Sequence, residues 1–395
     1  MNIFLDALSA FPTISVGTQA MILGAMEIVQ RRYPSAEFVF LSPLPEVEEY
    51  YLKSAGFRYR VVSRAPSRWG VAFQFRRILR EVDAVVSVWG DGYTSGSPAN
   101  IARKMLFLWK HGMPRVLFTA SIGKATGFTS LQLARWGLRQ FDQITLREPE
   151  TERNLREMGV RSGRVVADTA FALLPAEKSR VQQLLEDEGV PPKIACIGLG
   201  TSSLLARMGT VGGMPYVDMM ADVAKYLQDI SGAAVLLIPH QVWPDCIPKH
   251  LRPAWSLGGD DRDVSADIMD RSHGAAGLYS LQRDHQAAEF KGIIKECEIF
   301  IGGRMHAVVG AISTGVPPLV MKYSHKSQGL MSMVGLPDLV WDISDSIPSL
   351  RRKLSELWTR RATVRAHLEQ LHPKLIADAF SAGDALQQAL ARKRE

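Results

Sequence analysis

Residues 299–307 read Ile-Phe-Ile-Gly-Gly-Arg-Met-His-Ala, a short apolar run followed by two glycines, an arginine and the beginning of a helical pattern. The apolar run is typical of a buried strand, and apolar side chains recur at helical spacing from residue 305 onward. The same order, a short apolar run and then a longer amphipathic segment, is repeated on both sides of this stretch. Such alternation predicts a parallel sheet covered by helices on both faces.

The alternation occurs in two sets. In the first set, the predicted strands are residues 3–8, 38–41, 59–62, 84–88, 116–120 and 143–146, and the predicted helices are residues 18–32, 46–55, 67–81, 98–111 and 129–139. In the second set, the predicted strands are residues 194–198, 233–238, 276–278, 299–301, 318–321 and 339–341, and the predicted helices are residues 217–230, 283–297 and 305–314.

A charged stretch at residues 177–188, followed by two prolines, predicts a helix and linker between the two sets. We therefore expect an α/β protein with two doubly wound, Rossmann-like domains that face a cleft. The first is residues 1–176 and the second is residues 190–345, and a tail at residues 346–395 is helical by pattern. In doubly wound sheets, ligands bind beyond the carboxyl ends of the strands.

The stretch that follows residues 299–301 predicts an anion site. Gly302 and Gly303 allow the backbone to approach a ligand closely, and the next helix offers free N–H groups and the positive end of its dipole. Arg304 and His306 add positive charge at that point, which an anion would balance. A guanidinium can grip a phosphate or carboxylate in two places. The alternatives are an Arg304–carboxylate ion pair and a hydrogen-bonded core position for His306.

Other polar side chains follow other predicted strands. Arg147 ends a strand in the first set, where it is a candidate for ligand binding or for an ion pair, and Asp168 is interpreted as a structural turn or cap residue. His240 follows the strand at 233–238, where it is a candidate for ligand contact or for a structural cap of the strand end. The remaining candidates at strand ends are Asp91, Lys124, Lys322, His325 and Lys326. The acidic stretch at 260–270 is predicted to be a solvated loop.

Composition narrows the class of protein. The chain has 395 residues and a net charge of +7, which suits anionic partners or simply aids solubility. The three cysteines are sparse, and the N-terminus does not resemble a signal peptide, so we expect a cytoplasmic protein. Basic residues near the C-terminus fit a charged helix face or a membrane surface. The sequence contains no phosphate-binding GxxxxGK[ST] loop, no nucleophile elbow, no HExxH metal pair and no nucleic-acid-binding signature.

The motifs resemble those of the polysaccharide pyruvyl transferase family. Its most distinctive block is similar to residues 300–307 here, followed by residues 315–317, Tyr323, Lys326 and Gly329. Weaker similarities follow in the family's order at Gly24, residues 121–123, 146–148, 168–171 and 238–240. The sequence departs from the family pattern at residues 15–18 and 89–92. The family's architecture resembles that of GT-B glycosyltransferases, with the last helices packing back towards the domain junction.

The resemblance implies a transferase that moves a pyruvyl group from phosphoenolpyruvate to two hydroxyls of a cell-surface polysaccharide or its precursor. It implies that His306 is the general acid and that Arg304 and Arg147 hold the donor's anionic groups, with the Met305 backbone assisting. Lys326 or His240 would support the leaving phosphate. The N-terminal domain, with Asp91 and Lys124, would serve the acceptor, and no metal or organic cofactor is expected. A lipid-linked acceptor and peripheral contact with the inner membrane face are compatible with this scheme, and nucleic acid is not an expected partner.

Two alternatives remain open at this point. A GT-B glycosyltransferase with a nucleotide-sugar donor would present a similar architecture and a similarly basic pocket. A non-catalytic protein that binds glycans or phosphates on the same fold is the second alternative, because a fold alone does not confer activity. Thermal protection by different donors would distinguish the first alternative, and binding without product would support the second.

Overall fold

The computed structural model describes residues 1–7, 15–88, 90, 112–125, 127–161, 163–192, 194–247 and 259–392. The chain forms two compact units. Unit 1 comprises Met1–Thr13, Thr18–Leu173 and Ile376–Glu395, and unit 2 comprises Ile14–Gly17 and Leu174–Leu375. The helix predicted at residues 98–111 lies outside the described residues.

The α-helices of the described residues are numbered here in chain order. They are α1 Val16–Arg32, α2 Pro45–Leu52, α3 Arg68–Glu81, α4 Phe128–Leu138, α5 Pro149–Glu157, α6 Lys178–Asp187, α7 Ser203–Met208, α8 Tyr216–Ser231, α9 Asp261–Arg271, α10 Ala287–Lys295, α11 Met305–Ile312, α12 His325–Met333, α13 Ile347–Phe380 and α14 Ala382–Arg392. A 3-10 helix covers Thr169–Phe171.

Unit 1 contains one parallel sheet of seven strands. They are β1 Asn2–Ala7, β2 Glu37–Ser42, β3 Arg58–Ser63, β4 Ala84–Val88, β5 Arg115–Ala120, β6 Gln143–Leu146 and β7 Arg164–Val165. Their spatial order is β3-β2-β1-β4-β5-β6-β7. Every residue of β4 and β5 is buried, as expected for central strands covered on both faces. Side chains of α3 and α4, among them Ile78, Leu79 and Leu138, join one core cluster of this unit.

Unit 2 contains a second parallel sheet and a small hairpin. The strands are β8 Cys196–Gly200, β9 Thr210–Val211, β10 Met214–Pro215, β11 Ala234–Ile238, β12 Leu278–Ser280, β13 Cys297–Gly302, β14 Pro318–Lys322 and β15 Val340–Asp342. The sheet order is β12-β11-β8-β13-β14-β15, and β9 pairs with β10 in antiparallel fashion. Two helices continue from one unit into the other, since α1 begins in unit 2 and α13 ends in unit 1.

The predicted class, α/β with two doubly wound sheets and a helical tail, is confirmed. One local prediction is wrong, because the acidic stretch at 260–270 is not a solvated loop. Asp260 caps α9 by accepting a hydrogen bond from the Arg262 amide at 3.0 Å, and Asp261 is fully buried. Val264 and Ile268, one helical turn apart, carry the apolar side of this helix into the core. No helix of the described ranges is both long and apolar enough to cross a bilayer.

Candidate functional site

The strand order of unit 2 reverses between β8 and β13. These two strands are neighbours, and the chain proceeds from β8 outward to β11 and β12 but from β13 outward to β14 and β15. In doubly wound sheets, such a switch point leaves a crevice at the carboxyl ends of the strands, where ligands bind. The residues that follow β8, β11 and β13 therefore form the candidate site, and all of them belong to unit 2.

The glycines at the end of β13 make room for neighbouring protein atoms. A Cβ on Gly302 would lie 2.9 Å from the Phe300 ring, and one on Gly303 would lie 2.8 Å from Leu205 Cδ1. Gly200, on the adjacent strand, faces the same Phe300 ring at 2.9 Å. The predicted reason for these glycines, close approach of a ligand, is therefore replaced by close packing of β13 against β8 and α7.

Arg304 stands immediately before α11 and forms an ion pair. Its Nη2 donates to Asp261 Oδ1 at 2.7 Å and to Ser203 Oγ at 3.2 Å. The ion-pair alternative is thus present in the structure, but it does not use the whole guanidinium. The Nε atom is buried and has no hydrogen-bond partner among the residues that the structure describes. The side chain is 17% exposed, so the pair fixes the guanidinium while leaving donor capacity for a ligand.

Asp261 connects the three strand ends. Its Oδ1 also accepts from the Ser203 amide at 2.7 Å, after β8, while its Oδ2 accepts from the amides of His240 at 3.2 Å and Gln241 at 2.9 Å, after β11. With Arg304 after β13, one buried carboxylate holds the chain segments that follow all three strands. A buried charge with this number of donors is stable because each lone pair is occupied. Asp261 is a site residue that the sequence interpretation missed.

His240 is a buried residue of the candidate site. The residue is only 6% exposed, and neither ring nitrogen has a hydrogen-bond partner within the described part of the chain. Burial holds the pKa of His240 well below its usual value of 6.5, and the neighbouring His306 and Arg304 charges add to this effect. The imidazole is therefore neutral at physiological pH. Buried polar atoms normally have partners, so His240 is a candidate for ligand contact.

His306 lies in the first turn of α11, and Gly17 packs against it. A Cβ on Gly17 would fall 2.4 Å from His306 Cβ and 2.6 Å from its Nδ1, so a larger residue there would displace His306. The same segment is bound to His240, because the Val16 amide donates to the His240 carbonyl at 3.2 Å. Ser15 forms an isolated antiparallel bridge with Gln241. Residues 15–17, a departure from the family pattern, thus hold both histidines of unit 2's site.

Tyr216 is a further buried neighbour that sequence analysis missed. It begins α8 and is 1% exposed. Burial raises the pKa of its hydroxyl, and the Asp261 charge raises that pKa further. The hydroxyl therefore stays protonated, and the cluster of Asp261, Arg304 and Tyr216 contains one compensated ion pair and a neutral phenol.

Two predicted residues of unit 1 lie in ion pairs. Arg147 is 5% exposed and donates to Asp168 at 2.9 Å and to Ser121 at 2.7 Å. Asp168 also caps the 3-10 helix through the Ala170 amide at 2.9 Å, in line with its structural interpretation. Lys124 is exposed and pairs with Glu157. The charge of Arg147 is already balanced within unit 1, and a substrate contact for Arg147 or Lys124 stays a prediction.

The remaining candidates are only partly described. Met305 is the first residue of α11, where its amide has no acceptor within the helix. Lys326 is the second residue of α12. Asp91 lies outside the described residues. The structure therefore brings together Arg304, Met305, His306 and His240 in unit 2.

The candidate site offers several hydrogen-bonding groups to a ligand. The start of α11 offers backbone N–H groups and a positive dipole end, and Arg304 stands beside it with one free buried donor. His240 supplies a neutral imidazole that donates one hydrogen bond and accepts another. His306 supplies a second imidazole with access to a ligand, since it is only partly buried. Together these groups suit a small anion that must exchange a proton.

The chain resembles several solved structures in its fold. UDP-GlcNAc 2-epimerase from Neisseria meningitidis, solved with UDP-GlcNAc, has a TM-score of 0.67 and 11% identity, covering 99% of this chain and 100% of the epimerase. Anabaena Alr3699/HepE, solved with UDP-glucose, has a TM-score of 0.63 and 13% identity, covering 99% of each chain. Heptosyltransferase II from E. coli has a TM-score of 0.51 and 15% identity, covering 94% of this chain and 99% of that one. The predicted GT-B-like fold is confirmed.

The chain is also similar in sequence to known proteins. Amylovoran biosynthesis protein AmsJ from Erwinia amylovora is 27% identical over 277 residues, which are 68% of this chain and 64% of AmsJ. The chain thus matches less than two thirds of the length of this curated relative. The sequence model of polysaccharide pyruvyl transferases matches residues 16–325, which include His240, Asp261, Arg304 and His306. With most of its length matched in this way, the chain belongs to the polysaccharide pyruvyl transferase family.

Proposed function

We propose that this protein transfers the pyruvyl group of phosphoenolpyruvate to two hydroxyls of one sugar in a polysaccharide or its precursor, forming a ketal. The observation that carries the proposal is His240, a buried imidazole with both nitrogens unpartnered, beside Arg304 and His306. Membership of the family supports the reaction type, and the resemblance to AmsJ supports a role in polysaccharide biosynthesis.

Phosphoenolpyruvate requires partners for two anionic groups. We assign one of them to the start of α11, where Met305 is the first helical residue and Arg304, with its unused Nε, directly precedes it. The other group would accept a hydrogen bond from His240, which being neutral contributes a dipole rather than a charge. Lys326 is a further candidate for the leaving phosphate, as expected from the family block. No cofactor enters this scheme.

His306 is the better candidate for general acid. The depressed pKa of His240 leaves it without a proton to give, whereas His306 is partly buried at the start of α11. His306 would protonate the methylene carbon of phosphoenolpyruvate, and the positive charge that develops on the adjacent carbon would be attacked by a sugar hydroxyl. The attacking hydroxyl would then return a proton to His306.

The remaining steps balance without a further reagent. The bond between the central carbon and the phosphate oxygen breaks, and inorganic phosphate leaves with the electron pair. The second sugar hydroxyl adds to the same carbon, and its proton leaves with the phosphate. The products are inorganic phosphate and a cyclic ketal of the sugar, whose ketal carbon carries the methyl and carboxylate groups of pyruvate. Unit 1, with Asp91 and Lys124 after its strands, is our candidate for the acceptor side.

Phosphate release from phosphoenolpyruvate in the presence of acceptor glycans tests the proposal. We expect release by the wild-type protein, and a loss of about 100-fold or more in His306→Gln and Arg304→Lys. Asp267→Asn, an exposed residue of α9, is the matched control and should retain activity. Thermal protection by UDP-glucose but not by phosphoenolpyruvate, or full turnover by His306→Gln, would overturn the assignment.

A further inference from the structure

Helix α3 of unit 1 carries large aromatic side chains on its outer surface. Trp69 is 87% exposed and Phe73 is 73% exposed, although both are large apolar residues one helical turn apart. The inward side of the helix is already complete, since Phe75 meets Phe4 edge to face at 5.1 Å and Ile78 and Leu79 are buried. Trp69 and Phe73 are therefore not core residues of this unit.

Arginines continue the same surface along α3. Arg76, Arg77 and Arg80 are exposed, and at 3.6 residues per turn they fall with Trp69 and Phe73 in a stripe about 100° wide. Arg77 pairs with Glu81 at 3.3 Å, but Arg76 and Arg80 form no ion pair with any described residue. We call this stripe of Trp69, Phe73, Arg76, Arg77 and Arg80 the α3 face.

The arginines near the C-terminus differ in this respect. Arg351 pairs with Asp222 at 2.6 Å, Arg352 with Glu356 at 2.7 Å and Arg360 with Asp338 at 2.7 Å. Arg351, Arg352 and Arg360 thus each have a counterion of their own. The uncompensated positive charge that lies beside exposed aromatics belongs to α3.

A third exposed aromatic ring belongs to the same side of the unit 1 sheet. Phe128, the first residue of α4, is 79% exposed. Helices α3 and α4 pack into one core cluster, so they cover the same face of the sheet. Each helix follows a parallel strand, β3 or β5, so each begins at the carboxyl edge of the sheet. Trp69 and Phe128 therefore both lie at the carboxyl edge of the unit 1 sheet, on the face that α3 and α4 cover.

We infer that the α3 face docks on an anionic phospholipid surface. Aromatic rings insert at the level of the headgroups, and arginines bind lipid phosphates while their aliphatic stems lie along the apolar boundary. Charge complementarity selects anionic lipid, because the unpaired arginines have no counterions of their own. This inference concerns where the protein binds and does not depend on the reaction proposed above.

Co-sedimentation with vesicles tests the inference. We expect the full-length protein to bind vesicles of phosphatidylglycerol and phosphatidylcholine but not vesicles of phosphatidylcholine alone, and to be released by high salt. Arg76→Gln and Arg80→Gln should each lower the partition coefficient about fivefold. Trp69→Ala with Phe73→Ala should lower it about tenfold or more.

Matched controls separate surface effects from folding. Arg352→Gln removes an exposed arginine of α13 that has its own partner, and it should bind like the wild type. All the variants should keep the wild-type melting temperature, because the altered side chains lie on the surface. Equal vesicle binding by the wild type and the α3 variants would overturn the inference. So would a self-association or a single-stranded RNA affinity that the same variants abolish while wild-type vesicle binding is absent.

Discussion

His240 is buried without partners for its ring, a condition that costs stability. Replacing a buried, unsatisfied polar group by an apolar one of similar size removes this cost. We therefore predict that His240→Leu raises the free energy of unfolding by about 1 kcal/mol and abolishes phosphate release. His285→Leu is the control, because His285 is equally buried but bonded to Glu188 at 2.8 Å, so its loss should destabilise the protein. A destabilised but active His240→Leu variant would contradict the prediction.

The pKa of His240 also predicts how stability depends on pH. Its pKa is lowered in the folded protein relative to 6.5, so below this pH the unfolded chain binds a proton that the folded protein does not. Titration of His240 therefore leaves the free energy of unfolding unchanged above pH 6.5 and lowers it as the pH falls from 6.5 towards the folded-state pKa. The decline is at most about 1.4 kcal/mol per pH unit. Denaturant titrations at several pH values below 6.5 should show that the free energy of unfolding falls more steeply with decreasing pH for the wild type than for His240→Leu.

Gly17 packs directly against His306, which leaves little room for a side chain. In a helix, Ala is normally more stable than Gly by about 0.5–1 kcal/mol. At residue 17, however, the added methyl would overlap His306 Cβ at 2.4 Å, so the imidazole must move. We predict that Gly17→Ala lowers phosphate release about 100-fold, because His306 is the proposed general acid and displacement of a catalytic group by about 1 Å has this effect.

The control for Gly17 is Gly329, a helical glycine of α12. A Cβ at Gly329 would meet no atom within 4 Å, so Gly329→Ala should leave turnover unchanged. Wild-type turnover in Gly17→Ala would show that His306 does not need its observed position.

At the scale of elements, Asp261 is the group that joins the ends of β8, β11 and β13. An asparagine there would lose the charge that balances Arg304 and would turn an N–H donor towards amides that need an acceptor. We predict that Asp261→Asn lowers the free energy of unfolding by about 3–5 kcal/mol, as for other broken buried pairs. Equilibrium denaturation measures this, with the exposed Asp267→Asn as control. A change below about 1 kcal/mol would mean that the strand ends are held in another way.

The periodicity of the sequence was enough to locate the sheet elements. Strands β4 and β6 begin and end at the predicted residues, and the other predicted strands differ from the observed ones by a few residues. The short edge strand β7 was not predicted. Helix α9 was missed because its first turn is dominated by carboxylates, which were interpreted as solvated. The signal was present, since an aspartate cap followed by Val264 and Ile268 at helical spacing is a helix start.

The site itself was only partly predictable. Arg304 and His306 stand out because they follow glycines at a strand end, which is a local pattern. The burial of His240, its contact with the Val16 amide and the packing of Gly17 on His306 depend on segments more than 200 residues apart in sequence, which no local pattern reports. Asp261 likewise becomes a site residue only when three strand ends meet.

At the scale of the whole molecule, the last helix belongs to the first unit. In α14, Leu386 is fully buried and Ala382 and Ala385 face the protein interior, and Asp384 pairs with Arg32. We predict that a stop after Leu375 lowers the melting temperature of unit 1 by several degrees, since burial of Leu386 alone contributes about 2 kcal/mol. Calorimetry should show that loss in a transition of unit 1, with Leu386→Ala giving a smaller shift of the same transition. An unchanged thermogram would contradict this account.

The chain passes between its two units after residues 13, 17, 173 and 375. Expression of residues 1–173 and 174–395 as separate fragments would leave the first fragment without α14. The second fragment would lack Gly17, which packs against His306. Donor and acceptor specificities of relatives therefore cannot be recombined by exchanging two contiguous halves. A chimaera that preserves both units must carry residues 14–17 with the second half of the gene and residues 376–395 with the first.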